Sequence, residues 1–248
     1  MDHVYYRNKD NPGLGNLAIQ LSDIYGRVPY VHKSILDYEF SNCIELHGFT
    51  IVDTEDAPHP PAYVTITSYT VRHVHPKMRD IFKPSKHMKS LINAEKHLLE
   101  GVSCAVNIRR GSYSPDSTMF CDDQSKTPNH YFCSDTGLEK FKAIIQSVPG
   151  KVYVASDSPS TKRELQKLFG SKLVMHETQY AHTAPQTLWS ENQTVKNLQD
   201  VYLIWFLISM CPFVFVTGGR PDYVGFSTYG YSAAIYGAKP FNIVFNED

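Results

Sequence analysis

The chain has 248 residues, which is enough for one large domain or two small ones around a substantial core. Hydrophobic residues make up 42% and charged residues 20%, which excludes a disordered chain. The formal net charge of -1 gives no general attraction to nucleic acid or to anionic membranes.

No targeting or membrane segment is indicated. The first ten residues are polar and lack a signal-peptide core, and the apolar run over residues 201–216 is broken by Pro212. Five cysteines occur without a CxxC pair, and Cys104 and Cys211 lie in apolar runs, as buried free thiols do. We therefore expect a protein without a membrane anchor, in the reducing cytoplasm of a bacterium or of a virus-infected cell.

The first part of the chain reads as strand, glycine loop and helix. A short β-prone run over His3–Arg7 precedes a loop with Gly13 and Gly15, and helical spacing of apolar residues follows from Leu17. Glycines let a backbone approach a ligand closely, and a helix N-terminus attracts negative charge. The loop lacks a full phosphate-binding (Walker) or dinucleotide-binding signature, so alone it also fits a structural turn.

The next segments predict short strands and then a helix. Residues 28–82 alternate short apolar runs with turns, which is typical of a small α/β domain. Lys83–Glu100 has helical spacing and is followed by Gly101. We place a domain boundary there, which divides the chain into residues 1–100 and 101–248.

The second part alternates strands and helices, which predicts a parallel, Rossmann-like sheet. The predicted strands are Val102–Ile108, Lys151–Ala155, Lys172–His176, Phe213–Thr217 and Pro240–Phe245. The predicted helices are Leu138–Ser147, Thr161–Phe169, Thr194–Met210 and Tyr229–Tyr236.

Two arginines end the first of these strands. Arg109 and Arg110 directly follow the apolar run, and ligands of α/β sheets bind outside the carboxyl ends of strands. Guanidinium groups bind phosphate oxygens in a bidentate way, so the pair suits a diphosphate. The alternative is a pair of structural arginines that form salt bridges. The polar stretch Ser114–Asp135 that follows is long for a connection, as functional loops are.

Four sequence blocks resemble the inverting fucosyltransferase superfamily and occur in the same order. That superfamily includes the α1,2- and α1,6-fucosyltransferases, the rhizobial chitin-oligosaccharide fucosyltransferases and the protein O-fucosyltransferases. The blocks are GLGN at 13–16 with Gln20, NIRRGSY at 107–113, VYVASD at 152–157, and Asp200–Cys211 with GFSTYG at 225–230.

The resemblance implies a GT-B fold of two facing Rossmann-like domains with parallel sheets. Residues 1–100 would form the acceptor-side domain, and residues 101–248 would bind a nucleotide sugar. The implied activity is a metal-independent, inverting transfer of fucose from GDP-fucose to a hydroxyl of a glycan or glycoprotein. No cofactor and no metal are implied, because arginines and a helix N-terminus can stabilise the leaving diphosphate.

The resemblance also implies roles for individual residues. Arg109 would bind the β-phosphate and Asp157 would lie near the base or ribose, while Asp200 would contact the nucleoside. Asp116 is our candidate for the catalytic base, with Asp122 and Asp123 as rivals. The remaining residues expected to line the substrate site are Gly13, Gly15, Asn16, Asn107, Arg110, Phe226, Ser227 and Thr228.

Two departures from the family pattern leave alternatives open. Asn107 stands where the family has His, and Ser112 where it has Asp. The donor could therefore be another nucleotide sugar, such as a UDP-sugar. The chain could also be a catalytically silent module that binds nucleotide sugars or glycans. An ordinary α/β scaffold with a structural arginine pair would bind no nucleotide at all.

Overall fold

The computed structural model describes residues 4–6, 13–26, 29–33, 36–37, 39–52, 62–63, 78–110, 112–113, 120–121, 132–176, 194–219 and 225–246. The strands within these ranges are β1 (Val4–Tyr6), β2 (Tyr30–His32), β3 (Ile44–Leu46), β4 (Thr50–Val52), β5 (Ala62–Tyr63), β6 (Phe82–Pro84), β7 (Val102–Ile108), β8 (Ser112–Tyr113), β9 (Phe120–Cys121), β10 (Lys151–Ser156), β11 (Leu173–Val174), β12 (Val214–Thr217) and β13 (Phe241–Val244). The helices are α1 (Leu14–Ile24), α2 (Phe40–Cys43), α3 (Met78–Ile81), α4 (Lys86–Glu95), α5 (Asp135–Ser147), α6 (Pro159–Phe169), α7 (Val195–Met210) and α8 (Thr228–Gly237).

Two parallel sheets carry the fold. The first has the strand order β4-β2-β1-β5, and the second has the order β11-β10-β7-β12-β13. Two short antiparallel pairs, β3 with β6 and β8 with β9, lie outside these sheets. The predicted α/β class with two parallel, Rossmann-like sheets is confirmed.

In each sheet the earliest strand is central, and the chain reverses its direction of sheet growth beside it. The reversal lies between β1 and β5 in the first sheet and between β7 and β12 in the second. Loops at the carboxyl ends of two such strands run apart and leave a crevice, which is where open α/β sheets bind ligands. The strand order therefore predicts ligand crevices at these two reversal points.

Helices from the two ends of the chain share one core. The buried cluster includes Leu17 and Leu21 of α1, Trp205 of α7 and Tyr231 of α8. The indole N–H of Trp205 donates to Ser232 Oγ at 2.9 Å, so its polar atom is satisfied inside that core. In the described part of the chain, no helix has both the length and the apolar character needed to cross a membrane.

Most predicted elements match the structure, but α4 begins later than predicted, α1 and α5 begin three residues earlier, and the short elements α2, α3, β6, β8 and β9 were not predicted. Lys83 belongs to strand β6, not to the helix predicted over Lys83–Glu100. The helix α4 begins only after Ser85, whose hydroxyl accepts the backbone N–H of Met88 at 3.0 Å, and a 3₁₀ turn over Lys96–Leu99 completes it. A side-chain cap of this kind defines a helix start more strongly than apolar spacing does. The one-turn helices α2 and α3 are too short to show a periodicity.

A buried acid links the segment before α2 to α7. Asp37 is 7% exposed, and its carboxylate accepts the hydroxyl of Tyr202 and the backbone N–H of Glu39. Burial raises the pKa of Asp37 to about 6, although the hydrogen bond from Tyr202 lowers it. The ionised carboxylate is therefore less favourable in the folded state than in the unfolded chain.

Asp37 gives the stability of the protein a defined pH dependence. Between about pH 4 and pH 6 the folded state keeps a proton on Asp37 that the unfolded chain has lost, so stability falls as pH rises through this range. We expect a loss of about 2 kcal/mol from this residue between pH 4 and pH 7. Urea denaturation of the parent chain and of Asp37→Asn at both pH values measures it. An equal pH dependence in the two chains would contradict the assignment.

Candidate functional site

The candidate site lies at the carboxyl ends of β7 and β12, beside the reversal point of the second sheet. Arg109 follows the last residue of β7, and Thr217 is the last residue of β12. The strand β12 then continues to Gly218 and Gly219 and, after residues outside the described ranges, to the start of α8.

Thr217 connects the two strand ends to the start of α8. Its hydroxyl donates to the carbonyl of Asn107 at 2.7 Å and accepts the backbone N–H of Arg109 at 3.0 Å. Its carbonyl accepts the backbone N–H of Ser227 at 2.8 Å. Because Thr217 is fully buried, these bonds are shielded from water and fix Arg109 and Ser227 relative to each other.

The start of α8 presents unsatisfied polar groups. Ser227 occupies the N-cap position, but its side chain makes no capping hydrogen bond. Its Oγ is buried and has no hydrogen-bond partner among the described residues. The first N–H groups of any helix also lack partners within the helix, and the first turn of α8 contains no acidic residue. This helix end is therefore suited to an anion.

The start of α1 packs directly on the start of α8. A Cβ atom placed on Gly15 would lie 2.4 Å from the carbonyl carbon of Thr228 and 2.4 Å from the backbone nitrogen of Tyr229. Only glycine permits this approach. The N-cap residue Gly13 has a φ of 119°, which is also a glycine conformation. Two helix N-termini therefore meet at one point, and neither first turn contains an acidic residue.

The two arginines of the predicted pair have different surroundings. The Arg109 guanidinium lies 5.2 Å from the centre of the Phe132 ring and forms no hydrogen bond or ion pair with the described residues. Arg110 is 5% exposed, and its guanidinium donates to the Ser134 carbonyl at 3.1 Å and to Asp135 Oδ1 at 2.7 Å. Arg110 thus stabilises the start of α5, which is the salt-bridging role that the sequence analysis gave as the alternative to phosphate binding. A direct contact with substrate stays a prediction for both residues.

Asn107 lies against α8 one turn from the helix start. Its Oδ1 would be 2.5 Å from a Cβ atom on Gly230, so the absence of a side chain at 230 makes room for the amide. Asn107 is 5% exposed, and its Oδ1 has no hydrogen-bond partner among the described residues. Two buried oxygens near this helix end, Asn107 Oδ1 and Ser227 Oγ, therefore lack a hydrogen-bond partner among the described residues.

Three other predicted residues surround this region. Asp157 follows β10 and accepts the backbone N–H of Arg110 at 2.8 Å, which places it at the same sheet edge.

The carboxylate of Asp200 lies 2.6 Å from Lys196 Nζ and 3.2 Å from His176 Nε2. Phe226 is a core residue, 5% exposed, whose ring packs on Tyr231 with the centres 4.9 Å apart.

Asp200 also lies next to a residue that contacts the start of α8. The next residue, Val201, accepts the hydroxyl of Tyr229 at 2.5 Å through its carbonyl oxygen. Burial raises the pKa of Tyr229 well above its ordinary value, so this phenol stays protonated and donates. The second turn of α7 is therefore tied to the first turn of α8.

The candidate catalytic base, Asp116, lies outside the described residues, as do its rivals Asp122 and Asp123. Among the residues that the structure does describe, no group of three or more His, Cys, Asp or Glu side chains is arranged to hold a metal ion. Burial raises the pKa of the nearby Cys133 to about 12, so it is a thiol and not a nucleophile at neutral pH.

Thr217 is the residue of this site that the sequence analysis missed. A threonine at the end of an apolar strand is common, and its hydrogen bonds join positions 108 and 110 residues away in sequence. The only local signal is its position before Gly218-Gly219, at the end of a predicted strand.

Comparison with solved structures identifies the fold. The fucosyltransferase NodZ from Bradyrhizobium matches with a TM-score of 0.55 and 12% identity, over 94% of this chain and 91% of that chain. Its structures soaked with GDP-fucose and co-crystallised with GDP match with TM-scores of 0.54 and 0.53, both at 12% identity, over 95% and 94% of this chain and 92% and 91% of those chains. No family model and no curated protein matches the sequence. The chain therefore has the GT-B fold of these fucosyltransferases.

A methyl group at Gly15 tests the contact between the two helix ends. In Gly15→Ala the Cβ would overlap the Thr228 backbone, so α1 and α8 must separate. We expect a loss of about 2 kcal/mol in the free energy of unfolding. Gly26→Ala is the control, because its Cβ would meet nothing within 4 Å and the cost is only that of a left-handed φ, about 1 kcal/mol. Equal losses in urea denaturation would contradict the close contact.

The hydroxyl of Thr217 is tested by two matched variants. Thr217→Val removes the hydroxyl and leaves the N–H of Arg109 and the carbonyl of Asn107 buried without that partner. We expect the free energy of unfolding to fall by about 2 kcal/mol. Thr217→Ser keeps the hydroxyl and loses only a methyl group, so the free energy of unfolding should fall by only about 1 kcal/mol. Hydrogen exchange at the Arg109 amide should accelerate in the valine variant and stay slow in the serine variant. Unchanged exchange in both would show that the hydroxyl is dispensable.

Proposed function

We propose that this chain is a glycosyltransferase that uses a nucleotide diphosphate sugar, with GDP-fucose as the favoured donor. The observation that carries the proposal is the meeting of the α1 and α8 N-termini at the Gly15–Thr228 contact. Two positive helix ends side by side, with no acidic residue in either first turn, form an unfavourable arrangement unless an anion binds there. A diphosphate is the anion that the surrounding groups fit best.

The charged group for the leaving diphosphate would be Arg109. Among the described residues it has only an aromatic contact, and its backbone is bonded through Thr217 to Ser227 at the start of α8. Buried Ser227 Oγ and Asn107 Oδ1 supply a donor and an acceptor that no group of the described residues satisfies. Arg110, by contrast, would act indirectly by holding α5 in place.

The reaction that fits these groups is an inverting substitution at the anomeric carbon. The oxygen of an acceptor hydroxyl forms a bond to that carbon while the bond to the diphosphate oxygen breaks, and a base takes the hydroxyl proton. Negative charge grows on the diphosphate, where helix N-termini and Arg109 stabilise it. Asp116 remains our candidate for the base, residues 1–100 for the acceptor side and residues 101–248 for the donor side. Direct stabilisation by these groups is the reason for proposing that no metal is needed.

GDP-fucose is favoured because two kinds of evidence agree on it. Four sequence blocks resemble the fucosyltransferase superfamily, and the fold is that of NodZ, whose structures include one with GDP and one soaked with GDP-fucose. At 12% identity the fold does not define the donor, so a UDP-sugar is the second candidate. Parallel calorimetric titrations with GDP and UDP distinguish them, and a clear preference for UDP would end the fucose proposal.

A silent binding module is the alternative of a different class, since Asn107 and Ser112 depart from the family pattern. It would bind nucleotide without turnover. Release of free GDP from GDP-fucose in the presence of glycan acceptors excludes it, whereas tight binding with no release would support it. The ordinary scaffold predicts no thermal stabilisation by any nucleotide. A ligand at about 100 times its dissociation constant adds roughly 2.7 kcal/mol, so a thermal screen of nucleotide sugars detects binding readily.

Replacement of Arg109 tests the assigned mechanism. We expect Arg109→Ala to lower the rate of GDP release from the donor about 100-fold, which corresponds to about 3 kcal/mol of transition-state stabilisation. Arg109→Lys should recover part of this loss, because it keeps the charge without the bidentate geometry. Arg163→Ala, at an exposed position of α6, is the control and should have no effect. Full activity of the Arg109→Ala variant would refute the mechanism.

A further inference from the structure

A cavity lies at the C-terminal ends of α7 and α8, away from the candidate donor site. Its volume is about 550 Å³, and it lies between the segment of α3 and β6, the helix α4 and the last turns of α7 and α8. Tyr236 lies eight residues after Thr228, so the cavity is about 12 Å along the α8 axis from the candidate donor site. Its lining includes Arg79, Lys83, Phe206, Met210, Tyr236 and Lys239.

The charge of this cavity is one-sided. Three of its lining residues are cationic and none is acidic. Arg79 has a structural role, because its guanidinium donates to the carbonyls of Tyr236 at 2.5 Å and Gly237 at 3.0 Å, which end α8. Lys83 and Lys239 form no ion pair with the residues that the structure describes. Glu45, which is opposite Lys83 in the β3–β6 pair, instead lies 3.8 Å from His47.

The remaining wall is apolar and partly aromatic. Phe206 and Tyr236 pack edge to face with their ring centres 5.5 Å apart, and the guanidinium of Arg79 lies 6.0 Å from the Tyr236 ring. Met210, which lines the cavity, is 43% exposed and so presents apolar surface to a ligand. A cavity that combines an apolar wall with ammonium groups that pair with no described carboxylate matches a ligand with an anionic group on an apolar body.

We propose that this cavity binds an organic phosphate, with the phosphate at Lys83 and Lys239 and the apolar body against Tyr236 and Met210. The ammonium groups supply charge-assisted hydrogen bonds, and the partly exposed Tyr236 ring, backed by the buried Phe206, supplies the surface on which a planar body stacks. This site is separate from the donor site and goes beyond the proposed function. The apolar body of the ligand is either planar or aliphatic, and the two probes below, phenyl phosphate and hexyl phosphate, distinguish these cases.

Trp205 provides a reporter inside the protein. Its ring centre lies 4.7 Å from that of Tyr236 and 5.1 Å from that of Phe206, and the chain has only two tryptophans. In a Trp189→Phe background, all indole fluorescence therefore comes from Trp205, which packs on two residues of the cavity wall. We expect saturable changes with phenyl phosphate, hexyl phosphate or both. Inorganic phosphate should bind at least about tenfold more weakly, because it lacks the apolar body.

The variant Lys83→Gln/Lys239→Gln should weaken phenyl phosphate or hexyl phosphate binding by about tenfold or more. Lys86→Gln/Lys89→Gln removes the same charge from exposed positions of α4 and should change it less than about twofold. Lys83→Arg/Lys239→Arg should retain binding, which shows that the glutamine variant fails through charge. Arg109→Ala should bind as the parent chain does, so this result is independent of the proposed function. Absence of saturable binding, or equal binding by both glutamine variants, would overturn the proposal.

Discussion

The fold depends on a backbone contact between the first turns of α1 and α8. At Gly15 there is no space for even one methyl group, and the Thr228 peptide fills that space instead. The contact joins the helix after the first strand of one sheet to the last helix of the other sheet, and both helices bury side chains in one core. Because both helices begin there, packing alone creates a place where an anion is stabilised.

Around this contact, hydrogen bonds divide the polar residues into two groups. Thr217 and Arg110 are buried, and their bonds to protein groups hold strand ends and the start of α5 in place. Arg109, Asn107 and Ser227 retain groups that no described residue satisfies. A site in which positioning residues are fully bonded and the remaining groups are not is preorganised for charge that develops during a reaction.

Periodicity and breaker residues were enough to predict most of the fold. Apolar strands followed by capped helices define the second sheet almost residue by residue, and the predicted buried thiols Cys104 and Cys211 are buried. The predicted start of α4 was wrong, because the capping hydroxyl of a single residue, Ser85, determines where that helix begins. The different surroundings of Arg109 and Arg110 could not be predicted, because the partners of Arg110 lie 24 and 25 residues away and become neighbours only through tertiary packing.

The measurement that tests the central claim most directly is a crystal structure of this chain with GDP bound. The account predicts that the β-phosphate lies at the Gly15–Thr228 contact, with hydrogen bonds from the first N–H groups of α8 and from the Arg109 guanidinium. A diphosphate bound away from both helix starts, or one that leaves Arg109 against Phe132 without a phosphate contact, would contradict it.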